Sequence, residues 1–149
     1  MIDNTLYMVP VTTFEHQDFL GDLFTDINTY VRANKLGKCT VTPVDVYLGD
    51  RNALQPDIIF ISNENLGIIK NGKVKGVPDL IIEILSGNRS HDLEVKRNIY
   101  EAFGVKEYFV IDSKTKEIFS FYYDHEKFVQ QESKKGKLKS KLLKKTFSF

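Results

Sequence analysis

Between residues 14 and 31 apolar side chains recur at steps of three and four: Phe19 or Leu20, Leu23, Phe24, Ile27, Tyr30 and Val31. That spacing lays one apolar stripe along a helix and predicts that it packs on something flat. Thr12, with Glu15 three residues on, reads as a capping box, and Pro10 stands just outside it. From residue 38 the period changes. Segments 38–42, 44–48, 57–62 and 79–85 are short, rich in β-branched residues and broken by Pro, Gly and Asn, which predicts strands. Asn71-Gly72, between the last two, predicts a tight turn. A second helix of about 12 residues is expected next. Ser90 would be its N-cap, Asp92 and Glu94 would sit in its first turn, and Gly104 would stop it. EYFVID, EIFSFYY and KFVQQES then predict three strands, the last two joined by a turn at 123–126. Helix, strands, helix, strand and closing meander together predict an α/β (α+β mixed sheet) domain, a central mixed β-sheet flanked by helices.

Composition narrows this picture. A chain of 149 residues, 42% hydrophobic and 28% charged, is the size of one domain and can bury a core without disulfides. Cys39 is the only cysteine, so no internal disulfide forms, and no neighbouring base marks it as a catalytic thiol. No apolar run approaches the roughly 20 residues of a membrane span, and the start of the chain is not a signal peptide. A cytoplasmic protein without membrane partners is expected.

Charge adds a question. The net charge is +1, yet seven of the 21 basic residues lie within 134–149, where there is no acid. The rest of the chain carries 14 basic against 20 acidic residues. A basic tail can grip phosphate backbones. The interleaving of Leu138, Leu142, Leu143, Phe147 and Phe149 with the lysines favours another reading, a strand or strand pair with one packing face.

Candidate chemistry centres on VPDLIIEILS, residues 77–86, where Glu83 interrupts a buried-looking run. A charge there must be paired, protonated or metal-bound. Asp79 shares its face but lies roughly 13 Å away along the strand, too far to share an ion. Asp57, opening the other apolar run after Pro56, can converge with Glu83 if the two strands are adjacent. With the backbone carbonyl of Ile84, two carboxylates make a hard oxygen site suited to Mg²⁺. Asp92, Lys96 and Tyr100 are spaced four apart on the second helix, so Lys96 could reach back toward the acids. The plainer alternative is a surface Asp92–Lys96 pair. Asp79 reads as a strand opener, Asp45 as a solvated or hydrogen-bonded aspartate, and Asp112 as the closure of a strand into a turn. Arg89 and Arg97 are candidates for phosphate contacts.

PDIIFI, VPDLIIEILS and SHDLEVKRNIYEAFGVKEYFVID together resemble the Uma-type family of restriction-endonuclease-like proteins, within the PD-(D/E)XK nuclease superfamily. Asp57, Glu83, Ser86, Asp92, Lys96, Tyr100, Gly104, Val105, Glu107, Tyr108 and Asp112 fall on the family pattern. The resemblance implies a restriction-endonuclease-like core and a divalent-metal-dependent endonuclease that hydrolyses DNA phosphodiesters. Asp57 and Glu83 would be metal ligands for Mg²⁺ or Mn²⁺, Lys96 the third catalytic group, and Asp92, Tyr100 and His16 supporting residues. It also implies one nuclease-like domain over residues 1–149, short of the family's N-terminal hairpin region, with DNA as partner and a homodimer as one arrangement. Two departures matter. The superfamily lysine position, two residues after the second acid, is Leu85, so Lys96 would supply the charge from the helix. The short N-terminus keeps alive an alternative, a catalytically silent nucleic-acid-binding or structural member of the same fold.

Overall fold

The structure is a computed structural model that describes residues 2–4, 12–85 and 90–149, with only the backbone described at 90–92. Helix α1 (Phe14–Ala33) is followed by β1 (Gly37–Val41), β2 (Val46–Leu48), β3 (Asn52–Leu54) and β4 (Ile58–Ser62). A 3₁₀ turn leads to β5 (Ile69–Lys70), β6 (Lys73–Lys75) and β7 (Leu80–Leu85). Helix α2 (Ser90–Ala102), β8 (Glu107–Asp112), β9 (Ile118–Asp124), β10 (Lys127–Gln131), β11 (Lys137–Ser140) and β12 (Lys145–Ser148) complete the chain.

Six strands form the central sheet in the order β1-β4-β7-β8-β9-β10. Only β7 and β8 pair in parallel within it, joined by α2 as a crossover, so the sheet is mixed. A four-stranded sheet, β3-β2-β6-β5, and the hairpin β11-β12 lie outside it.

Strand alternation divides the central sheet into two faces, each with its own core. Ile58, Phe60, Leu80, Ile82, Ile84, Phe109 and Ile111 pack against Leu20, Leu23, Ile27 and Val31 of α1 and against Leu138, Leu143 and Phe147 of the tail hairpin. Ile59, Ile61, Ile81, Tyr108 and Val110 pack against Tyr100 of α2 and against Val46, Leu48, Leu54 and Val74 of the small sheet. Near-continuous apolar runs in β4, β7 and β8 follow from burial on both faces.

Local signals explain most of the element ends. The cap of α1 is one residue later than expected: Thr13, not Thr12, accepts the His16 N–H. The pairing of Thr12 with Glu15 is therefore not a capping box. Asn71 and Gly72 both take positive φ, 52° and 74°, as a two-residue hairpin turn between β5 and β6 requires. Past α2, Gly104 sits at φ 76°, its N–H donates to the Glu101 carbonyl, and that of Val105 to Tyr100. These paired bonds are the Schellman ending that a glycine at this position favours. Ser90 as N-cap cannot be described, because its side chain and residues 86–89 lie outside the described set. Strands β3, β5 and β6 were not expected as strands. Two or three residues are too few to show a period.

The basic tail folds as the packing reading expects. Leu138, Leu143 and Phe147 are buried, while Lys137, Lys139, Lys141, Lys144 and Lys145 are exposed. Among the described residues, no helix is long and apolar enough to cross a membrane.

Candidate active site

Strands β4 and β7 are neighbours, with Ile58 opposite Ile82 in an antiparallel register. One residue further along, that register sets Asp57 opposite Glu83, on the face that carries Ile59 and Ile81. The next step sets Pro56 opposite Ile84. Proline has no N–H to offer, so the ladder cannot continue in its regular form. In its place the Ile84 N–H donates to Asp57 Oδ2 at 2.7 Å. The Ile84 carbonyl lies 3.4 Å from His16 Nε2, brought there by the first turn of α1. Pro56-Asp57 thus ends the strand pair and anchors the Asp57 carboxylate at the break.

Glu83 is only 2% exposed. Its Oε2 accepts the Tyr100 hydroxyl at 3.2 Å and lies 3.3 Å from Lys96 Nζ. The four-residue spacing of Lys96 and Tyr100 turns both toward β7, as the stripe on α2 predicts. A buried carboxylate that lacked such partners would be neutralised or destabilising. Burial, and then the Glu83 charge, push the Tyr100 phenol well above its ordinary value of 10. Tyr100 therefore stays a protonated donor. Lys96 is 12% exposed at its side chain, so one cation of this cluster remains within reach of solvent.

The side chain of Asp92 lies outside the described residues, as do Ser86 and Arg89. Arg97 stacks near Phe121, 5.7 Å from its ring centroid.

No group of three or more His, Cys, Asp or Glu side chains among the described residues could hold a metal ion. What the β4–β7 break does offer is two carboxylates and a strand-end carbonyl, all hard oxygen donors. Mg²⁺ is commonly held by one or two carboxylates and completed by water and substrate phosphate, so this donor set fits it.

Three buried groups escaped the sequence reading in whole or part. Asp79, 3% exposed, does more than open β7: it accepts the Ser62 N–H at 2.7 Å, Asn65 at 3.1 Å and Lys106 at 3.0 Å. Burial pushes its carboxyl up, but these donors and the Lys106 charge outweigh burial, and its pKa is lowered below the usual 3.8. It ties the end of β7 remote from Glu83. Glu107, 3% exposed, accepts Ser140 Oγ at 2.6 Å and the N–H groups of Lys141 and Leu142 at 2.8 and 3.0 Å, which fastens the tail hairpin to β8. Tyr100 was expected as a supporting residue without a stated partner, and the structure gives it one, Glu83. In each case an acid set in or opening an apolar strand was the available signal. Asp45 and Asp112 match their expectations, the first accepting from Gln55 and the second from the Lys114 and Thr115 N–H groups. Burial pushes the Cys39 thiol up to about 12, consistent with an inert core residue.

A family model described as "Uma2: Putative restriction endonuclease" matches residues 1–146. Among solved structures, the chain is similar to the crystal structure of "a putative nuclease belonging to DUF820 from Anabaena variabilis ATCC 29413", with a TM-score of 0.77 and 16% identity. The superposition covers 96% of this chain and 81% of that one, and it shows the fold. No curated protein matches the chain.

Proposed function

The chain belongs to the Uma2 family, whose description is "Putative restriction endonuclease", and from that premise we propose that it is a divalent-metal-dependent endonuclease hydrolysing DNA phosphodiester bonds. The observation that carries this reading is the convergence at the Pro56 break. There Asp57 accepts the N–H of Ile84, the residue next to Glu83 on β7, and Lys96 reaches Glu83 from α2.

Asp57, Glu83 and the Ile84 carbonyl would hold Mg²⁺ or Mn²⁺. Bound there, the ion supplies Lewis acidity to the scissile phosphoryl group and lowers the pKa of the attacking water. The chain's own residues supply the rest. The Ile84 N–H fixes the Asp57 carboxylate, and Tyr100 fixes that of Glu83. Lys96 carries the positive charge that offsets the phosphorane-like transition state, in the role the superfamily gives to a lysine at the position of Leu85. His16 Nε2, beside the Ile84 carbonyl, steadies the strand end.

A second reading has its own observation. Glu83 is already paired with Lys96 and Tyr100, which is what a silent member of the fold needs to keep a buried acid satisfied. Calorimetric titration with Mn²⁺ separates the two. The nuclease reading expects saturable binding that Asp57→Asn removes; no binding by the parent protein would favour the silent one.

A further inference from the structure

We propose that the outer face of the β11-β12 hairpin is a docking surface for the phosphate backbone of DNA. The proposal rests on the nuclease reading only for the choice of DNA as the polyanion. It stands on four observations.

The first is segregation. The register pairs Lys137 with Ser148, Leu138 with Phe147, and Lys139 with Thr146. Leu138 and Phe147 point into the core, so Lys137, Lys139, Thr146 and Ser148 point outward by strand alternation. The outward face is all lysine and hydroxyl, the groups that bind phosphate oxygens without reading sequence. Lys141 and Lys144, both exposed, extend it through the turn.

The second is that the charge is not spent internally. Among the described residues, none of Lys137, Lys139, Lys141, Lys144 and Lys145 lies within ion-pair distance of a carboxylate. Lys141 and Lys145 lie instead over the rings of Tyr122 and Tyr30, at 4.1 and 5.8 Å. Residues 134–149 hold seven lysines and no acid, on a chain otherwise richer in acids than bases, and of the seven Lys135 lies 3.9 Å from Glu117.

Third, the surface is held in place. Glu107 caps the turn, Tyr30 donates to the Leu143 carbonyl, and Tyr122 donates to that of Lys139. A basic segment fixed by a buried carboxylate and two tyrosines binds without first paying the ordering entropy of a loose tail. A two-stranded ribbon is also one of the shapes that the major groove of B-DNA admits.

The fourth is continuity with the candidate active site. The Gly136 N–H donates to the Lys116 carbonyl, and one groove of about 710 Å³ is lined by Ser148 and Phe149, by Lys114 and Lys116, and by α1 residues that include His16, whose Nε2 lies 3.4 Å from the Ile84 carbonyl. The α1 residues that line it also include Glu15, Asp18, Asp22 and Asp26, acids that disfavour a phosphate backbone along that helix. The lysine hairpin is left as the attractive side.

The test measures binding without metal, so it does not depend on cleavage. Fluorescence anisotropy of a labelled duplex of about 30 base pairs is followed in EDTA as KCl rises from about 50 to 200 mM. The full chain is compared with Lys137→Gln/Lys139→Gln/Lys144→Gln and with a control of equal charge loss, Lys38→Gln/Lys70→Gln/Lys127→Gln. All six lysines are exposed, and thermal melts verify that both variants fold. The hairpin variant is expected to bind at least about tenfold more weakly, with the salt slope reduced by about 2 to 3, and the control to bind like the parent. Equal binding by parent and hairpin variant, equal weakening by the control, or no binding by the parent overturns the proposal. So does loss of binding to phosphatidylserine-rich vesicles where DNA binding is unchanged, which would assign the face to a membrane. Binding that follows these expectations in a protein that cuts no DNA would leave this surface standing and defeat the nuclease reading alone.

Discussion

At the scale of single residues, the candidate site is a problem of buried charge with a specific solution. Glu83 sits at 2% exposure because Tyr100 and Lys96 meet the same oxygen, one by hydrogen bond and one by charge. Tyr100→Phe removes the neutral donor and keeps the ring, so a loss of about 1–2 kcal/mol in urea unfolding is expected. A loss near zero would mean that Tyr100 serves packing alone. Asp79 makes a pH prediction. Its folded-state pKa is lowered, so the stability it contributes is present above the unfolded value of about 3.9 and drains away as the pH falls through that value toward the folded one. Asp79→Asn is expected to be less stable at pH 7 and to show a shallower acid limb between about pH 5 and 3 in thermal melts. Cys39, its thiol pushed up to about 12, should resist a thiol reagent at pH 8 in the native protein and react once unfolded. The sequence shows where these acids are but not what holds them. Ser62 and Asn65 reach Asp79 from the end of β4 and the turn after it, and Lys106 from the segment before β8, and no spacing rule joins them.

At the scale of elements, legibility followed length. Helix α1, β4, β7, β8 and β9 are long enough to show a period or an apolar run, and their positions were expected to within a few residues. The legible part of the candidate site was Pro56-Asp57 at the head of one apolar run and Glu83 inside the next, because register on adjacent strands follows from where each run begins. What remained hidden were β3, β5 and β6 of the second sheet and what fastens the tail hairpin. The latter depends on Glu107, which a sequence reader sees only as a glutamate opening a strand. Glu107→Ala strands Ser140 Oγ and two backbone N–H groups, so a loss of roughly 3 kcal/mol is expected in urea unfolding. Faster amide exchange at Lys141 and Leu142 would localise it, whereas unchanged exchange there would contradict the fastening role. The end of α2 offers a smaller check. Gly104→Ala should cost about 1 kcal/mol through the backbone alone, since its new Cβ would meet only Tyr123 atoms at ordinary distances of 3.6 Å or more.

At the scale of the whole molecule, three layers give the site its setting. The central sheet is covered by α1 and the tail hairpin on one face and by α2 and the small sheet on the other, and β4 begins only after Pro56, at Ile58. At that point the Ile84 N–H donates to the Asp57 carboxylate and Glu83 is met by Tyr100 and Lys96. Family membership, the break in the ladder and the lysine from α2 point to one chemistry, and it is tested most directly by cutting. Supercoiled plasmid is incubated with Mg²⁺ or Mn²⁺ and the parent protein, Asp57→Asn, Glu83→Gln or Lys96→Ala, each shown by thermal melt to be folded. Metal-dependent nicking by the parent that falls by at least about a hundredfold in each variant is the predicted result. Nicking that persists unchanged in Asp57→Asn and Glu83→Gln would contradict the account.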